Sequence, residues 1–165
     1  MGITGPVATG KSHLAVKAAT DFDPSFNLKE GLVFSVQDLL NTSLSYIRFK
    51  GKPLDADTIK KIPNIRDWLT ANMEDIEIKV GKVAIFDEAG TGAYVREFFS
   101  KDNKTLSKMI QIWRILRMLI IVVVPEDLRL TDSTVNRFLN IEVKMLGVDY
   151  EKNHATCIAW IYKGR

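Results

Sequence analysis

Three short apolar runs stand out along the chain: GLVFSV at 31–36, VAIFDE at 83–88 and MLIIVVV at 118–124. They are almost continuously apolar rather than alternating, which is the pattern of strands covered on both faces. Strands of this kind usually belong to parallel sheets with helices packed on either side. The MLIIVVV run is much too short to cross a bilayer, so the pattern predicts a buried strand and no membrane-spanning segment.

Two of the intervening segments have the apolar period of an amphipathic helix. One is KSHLAVKAATDF at 11–22. The other, at 103–118, repeats apolar residues at three- and four-residue spacing, namely Leu106, Met109, Ile110, Trp113 and Leu116. Strands that alternate with helices predict an α/β fold, with a central, mostly parallel sheet flanked by helices on both faces.

The other segments are less regular. Residues 50–75 contain two prolines and many charges, and they predict only a short helix around Trp68. Residues 140–165 predict two strands joined by the polar DYEKNH, a C-terminal β-hairpin in which Cys157 is expected to be buried. We expect 1–165 to form one domain. The strand before Gly5 has only four residues available, so either it is very short or the natural protein begins earlier.

Composition and charge narrow the class of protein only slightly. A chain of 165 residues is long enough for one domain with a proper core. The net charge of +3 is no general basic excess of the kind that would indicate nucleic acid, although a local basic face remains open. The single Cys157 and the lack of a signal-like segment predict a reducing, cytoplasmic environment.

The stretch GPVATGKS contains the strongest chemical signal, because it matches the pattern G-x-x-x-x-G-K-[ST]. The two glycines permit backbone angles that turn successive N–H groups toward an anion, and the following helix directs its positive end to the same place. Lys11 supplies a positive charge for the β- and γ-phosphates of ATP, and the Ser12 hydroxyl is a ligand for Mg²⁺. The predicted nucleotide-binding residues are Gly5, Pro6, Val7, Ala8, Thr9, Gly10, Lys11, Ser12 and His13.

A second signal lies at the end of the VAIFDE strand. Its apolar residues deliver Asp87 and Glu88 to the carboxyl end, where ligands gather in α/β sheets. Asp87 is predicted to hold Mg²⁺ through water, with Ser12 on the other side of the ion, and Glu88 to orient and deprotonate the attacking water. An acidic pair at a strand end is often only a turn, but the upstream GPVATGKS favours the catalytic interpretation.

Together, GPVATGKS and VAIFDE resemble the Walker A and Walker B motifs of P-loop NTPases, and a glutamate after the Walker B aspartate is typical of their additional-strand, catalytic-glutamate division. That resemblance implies a RecA-like core with a further strand between the two Walker strands, for which MLIIVVV is the natural candidate. Residues 122–124 run into Pro125 without the polar sensor of AAA+ proteins, and the tail is β-like rather than helical. Across most of 3–145 the chain is more similar to HerA/FtsK-type, zonula-occludens-toxin-like and viral or plasmid packaging ATPases.

The resemblance implies Mg²⁺-dependent ATP hydrolysis that powers DNA translocation or packaging by a homo-oligomeric ring. An AAA+-like helicase loader or remodeller and a slow ATP-dependent switch remain alternatives. Arg137 is the first candidate for an arginine finger that reaches a neighbour's γ-phosphate, although a solvated helix-end arginine is as good an interpretation. Three other arginines compete for this role: Arg96, Arg114 and Arg117.

Overall fold

The computed structural model describes residues 1–87, 103–124, 140–149, 151–152 and 154–162. The strands are β1 (Gly2–Thr4), β2 (Leu32–Val33), β3 (Ile47–Phe49), β4 (Lys52–Pro53), β5 (Ile76–Ile78), β6 (Val83–Asp87), β7 (Leu119–Val123), β8 (Ile141–Asp149) and β9 (His154–Ile161). The helices are α1 (Lys11–Phe22), α2 (Leu28–Gly31), α3 (Val36–Ser45), α4 (Ala56–Lys61), α5 (Ile65–Ala71) and α6 (Asn103–Ile115), with a 3-10 turn at Met73–Asp75.

A six-stranded sheet forms the centre of the fold, in the order β2-β6-β7-β1-β8-β9. The first five strands in that order are parallel, and only β9 is antiparallel, to β8. The α/β fold with a mostly parallel sheet is therefore confirmed, as is the hairpin at 140–165. Strand β7, the MLIIVVV run, lies between β1 and β6, and this order brings the carboxyl ends of β1 and β6 to the same edge of the sheet.

The continuous apolar pattern of the strands follows from helices on both faces. In β6, Val83 and Ile85 pack in one cluster with Ala15 of α1, on the first face of the sheet. The alternate residues Ala84 and Phe86 pack on the other face, in a cluster that receives side chains of α3 and α6. Because both faces of the strand are buried, neither set of positions is polar, and the strand does not alternate between apolar and polar residues.

A second, antiparallel sheet with the order β4-β3-β5 occupies the part of the chain that the sequence left unassigned. Together with α3, α4, α5 and α6, it encloses a separate apolar cluster that includes Ile47 and Ile65. Phe49 of β3 meets Trp68 of α5 edge to face, with 5.1 Å between ring centroids. The helix predicted around Trp68 is confirmed as α5, whereas this sheet, α3 and α4 were not predicted.

Two predictions from the apolar pattern are wrong in detail. The strand expected at 31–36 has only two residues, because the Ser35 hydroxyl caps α3 by accepting from the Asp38 amide, and Phe34 between them is 60% exposed. Cys157 does lie in a strand, β9, but its side chain is exposed, since β9 ends the sheet and few neighbours cover it. None of the described helices is both long and apolar enough to cross a membrane.

A partly buried ion pair joins the end of α1 to the residue that precedes β6. Lys82 Nζ lies 3.0 Å from Asp23 Oδ2, and it also donates to Ser25 Oγ. Burial of the Asp23 carboxylate favours a higher pKa, but hydrogen bonds from Ser25 and Lys82 outweigh that effect and lower its pKa overall. The contact fixes α1 against the sheet at the end opposite to the Gly5–Ser12 loop.

Candidate nucleotide-binding site

The Gly5–Ser12 loop leaves the carboxyl end of β1 and turns sharply into α1. Its conformation depends on positive φ angles at Gly5 (135°), Ala8 (63°) and Gly10 (79°). Thr9 is buried, and its hydroxyl donates to the Pro6 carbonyl at 2.8 Å, which closes the loop on itself. Residues 6–8 are exposed, so the loop presents its outer backbone to solvent.

The Lys11 side chain folds back over this loop. Its Nζ donates to the Gly5 carbonyl at 2.9 Å and to the Pro6 carbonyl at 2.6 Å. Partial burial lowers the pKa of the Lys11 ammonium below its ordinary value, and the nearby Asp87 carboxylate opposes that shift. Lys11 therefore places a cation at the mouth of the loop. Both of its described hydrogen-bond acceptors there are backbone carbonyl oxygens.

A short hydrogen bond joins the two predicted motifs. The Ser12 hydroxyl, on the first turn of α1, donates to Asp87 Oδ2 at 2.6 Å. Asp87 ends β6 and is half-buried, whereas Ser12 is exposed. The strand order explains the contact. Helix α1 follows β1, and β6 ends at the same edge of the sheet as β1, with only β7 between the two strands. A hydroxyl and a carboxylate oxygen at this distance form the kind of oxygen pair that Mg²⁺ accepts as ligands.

The amino end of α1 differs from those of the four helices that follow it. Side chains of Asn27, Ser35, Asp55 and Asn64 cap helices α2 to α5. Helix α1 begins after Gly10, which provides no side-chain cap, and its first turn has no acidic residue. Neither a capping side chain nor an acidic residue of α1 itself therefore satisfies its first N–H groups, which favours an external anion at this end.

Strand β8 lies directly against the loop, which the sequence did not predict. A Cβ added to Gly5 would lie 2.4 Å from the Met145 carbonyl oxygen, and one added to Gly10 would lie 3.9 Å from Val148 Cγ2. Gly5 is therefore required for packing as well as for loop conformation. No local signal in the sequence could have revealed this contact, since it depends on parallel pairing between β1 and β8.

These two glycines give a matched prediction about stability. Gly5→Ala combines a positive φ with a backbone clash, so we expect it to lower the free energy of unfolding by more than about 3 kcal/mol. Gly10→Ala has space for its methyl group. We therefore expect it to lower the free energy of unfolding by only the cost of a left-handed backbone conformation, about 1–2 kcal/mol. Chemical denaturation of both variants measures the difference, and equal losses would show that Met145 does not constrain Gly5.

The remaining predicted residues are distributed as follows. His13 is exposed on the first turn of α1. Glu88, Arg96 and Arg137 lie outside the described residues, and their predicted roles stay predictions. Lys108 donates to the Ile59 and Lys60 carbonyls at 3.3 and 2.9 Å and so caps the end of α4. Within the described ranges, no three His, Cys, Asp or Glu residues form a metal-binding group.

No model of a known protein family matches the chain, and a search of curated proteins found no significant relative. The geometry of the site is therefore the basis for a functional proposal.

Proposed function

We propose that this protein is a Mg²⁺-dependent ATPase of the P-loop NTPase class, in the additional-strand, catalytic-glutamate division. The observation that carries the proposal is the 2.6 Å contact between Ser12 and Asp87. These residues come from the two motifs that the sequence singled out separately, and the fold brings them together beside an uncapped helix terminus. If either motif were a chance match, there would be no reason for Ser12 and Asp87 to lie in contact.

The side chains present suit a magnesium-bound triphosphate. Ser12 and Asp87 would hold the ion, which when bound neutralises phosphate charge and helps to orient the phosphates. The N–H groups of the loop and of the first turn of α1 would bind the phosphate oxygens. The Lys11 ammonium, now on the Gly5 and Pro6 carbonyls, would exchange those acceptors for phosphate oxygens, with which it makes stronger, charge-assisted hydrogen bonds.

The strand order supports the additional-strand division, because β7 lies between β1 and β6. Glu88 follows Asp87 directly in the sequence, which favours its proposed role as the base that activates water. DNA translocation or packaging by a homo-oligomeric ring rests on the resemblance to HerA/FtsK-type and packaging ATPases alone. We propose it as the process that hydrolysis powers.

The test is steady-state ATP hydrolysis by the parent and by Glu88→Gln, each with and without single- and double-stranded DNA. The substitution keeps the shape of the side chain but removes the base, so we expect normal MgATP binding and turnover reduced by about a hundredfold or more. DNA should raise the turnover of the parent and leave that of the variant at its low value.

Glu77→Gln is the matched control, since Glu77 is exposed on β5 of the second sheet, and this variant should hydrolyse ATP as the parent does. Unchanged turnover in Glu88→Gln would remove the catalytic assignment of Glu88. Turnover of the parent that no DNA stimulates would favour the slow switch over the motor.

A further inference from the structure

The outer strand β9 is long and carries none of the charges or prolines that protect many edge strands. Its eight residues, His154–Ile161, include no Asp, Glu, Lys, Arg or Pro, and all except Trp160 are exposed. In the described part of the chain, no strand lies on its far side. The opposite edge, β2, is only two residues long. Natural sheets blunt their edges by charge, proline or shortness, and β2 uses shortness while β9 uses none of them.

We propose that β9 is an interface between two copies of this chain, which pair antiparallel through their β9 strands and continue the sheet across both. An edge strand offers a row of backbone N–H and C=O groups, so the partner that satisfies it is another extended strand. The apolar side chains that flank the edge include Ile158, 44% exposed, and Ile161, 75% exposed. Pairing of two such strands covers these side chains together with the backbone.

Symmetry and charge explain why the second copy fits. An antiparallel pair of identical strands has a two-fold axis perpendicular to the sheet, so residues near the axis face their own counterparts or close neighbours. A charged residue at such a position would face its own charge, which is unfavourable. The centre of β9, around Cys157 and Ile158, is uncharged and small or aliphatic, and it is therefore complementary to itself.

Because the two-fold axis is perpendicular to the sheet, a residue of β9 lies on the same face of the continuous sheet in both copies. Cys157 pairs across the hairpin with Met145 and Ala159 with Val143, so both lie on the face that α1 covers. In the dimer that face continues from one copy into the other, with the two Cys157 side chains close together. Cys157 is the only cysteine in the chain, so any disulfide between copies must join these two thiols.

The expected affinity follows from the size of the contact. A contact made mainly by two strands of eight residues is small beside the roughly 1,200–2,000 Å² that specific, stable interfaces bury, so we expect a reversible dimer with a dissociation constant in the micromolar range. The proposal concerns the chain without nucleotide and does not depend on the proposed ATPase activity.

The experiment is sedimentation velocity without nucleotide, across the micromolar range, on the parent, Ile158→Lys, Ile158→Glu and an equal mixture of the two variants. Each variant alone should be monomeric because like charges meet near the axis, whereas the mixture should form dimers through opposite charges. Mild copper-catalysed oxidation should link the parent into a covalent dimer, and Cys157→Ser should prevent that link.

A parent that stays monomeric throughout this range would overturn the proposal. Dimers that survive equally in Ile158→Lys and Ile158→Glu would overturn it too, since they would use another surface. The mixture protects the test from folding defects, because two misfolded variants would not regain a dimer when combined.

Discussion

Lys11→Ala is expected to lose detectable MgATP binding while it keeps the fold of the parent. The side chain lies at the mouth of the loop, where its only described hydrogen bonds are to the Gly5 and Pro6 carbonyls, and it contributes nothing to the apolar clusters. Removal of charge-assisted hydrogen bonds to a triphosphate costs about 3 kcal/mol or more, which is a loss in affinity of at least about a hundredfold. Calorimetric titration with MgATP measures the affinity, and circular dichroism melting tests the fold.

Lys17→Ala is the matched control for this variant. Lys17 lies on the same helix, its side chain is 65% exposed, and among the described residues its ion-pair partner is Asp21, at 2.7 Å. It should bind MgATP as the parent does. Binding by Lys11→Ala with the affinity of the parent would show that the nucleotide site has been assigned to the wrong loop.

The second large effect concerns an arginine supplied by a neighbouring subunit. Among the described residues, Lys11 is the one cation next to Ser12 and Asp87. For the proposed hydrolysis, we expect a second positive charge to come from an arginine. An arginine finger is worth about a thousandfold or more in rate, so we expect Arg137→Ala to lose that factor in turnover while it still binds MgATP. Monomers should turn over slowly, and specific activity should rise with protein concentration or with DNA.

A mixing experiment distinguishes a finger from a residue that acts within its own subunit. Arg137→Ala retains its loop lysine, and Lys11→Ala retains Arg137, so a mixture of the two should recover part of the activity. Arg66→Ala, an exposed arginine of α5, is the control and should be fully active alone. Loss of turnover in Arg96→Ala but not in Arg137→Ala would move the finger to Arg96, and concentration-independent turnover by a verified monomer would exclude the ring.

The parts of the fold that the sequence predicted are those with strong periodic or motif signals. Helix α1 spans the predicted residues 11–22, and β7 and the hairpin of β8 and β9 occupy the predicted stretches. The second sheet was missed because its strands have only two or three residues. Segments this short carry no measurable period and are held by tertiary packing, here around Ile47 and Ile65.

In the candidate site, too, contacts that follow from motifs and strand ends could be predicted, whereas contacts that depend on distant strand pairing could not. The proximity of Ser12 and Asp87 could be anticipated, because strand ends meet at one edge of a parallel sheet. The approach of Met145 to Gly5 could not, since nothing near either residue specifies that β8 pairs with β1. Exposure of Cys157 was likewise missed, because an apolar strand at the edge of a sheet has the same sequence pattern as one in its interior.

The pairing of β1 has a consequence for the order of folding. Gly2 pairs with Val122 of β7 on one side and with Glu142 of β8 on the other, so β1 cannot take its place between these strands until residues 122–142 have been synthesised. The loop that follows β1 then packs against Met145, which is made later still. Pairings this distant in sequence form slowly, so we expect the second sheet with α3, α4 and α5, whose contacts span much shorter stretches of the chain, to fold first. The Gly5–Ser12 loop, and with it the proposed nucleotide site, should therefore reach its final conformation after the second sheet has formed.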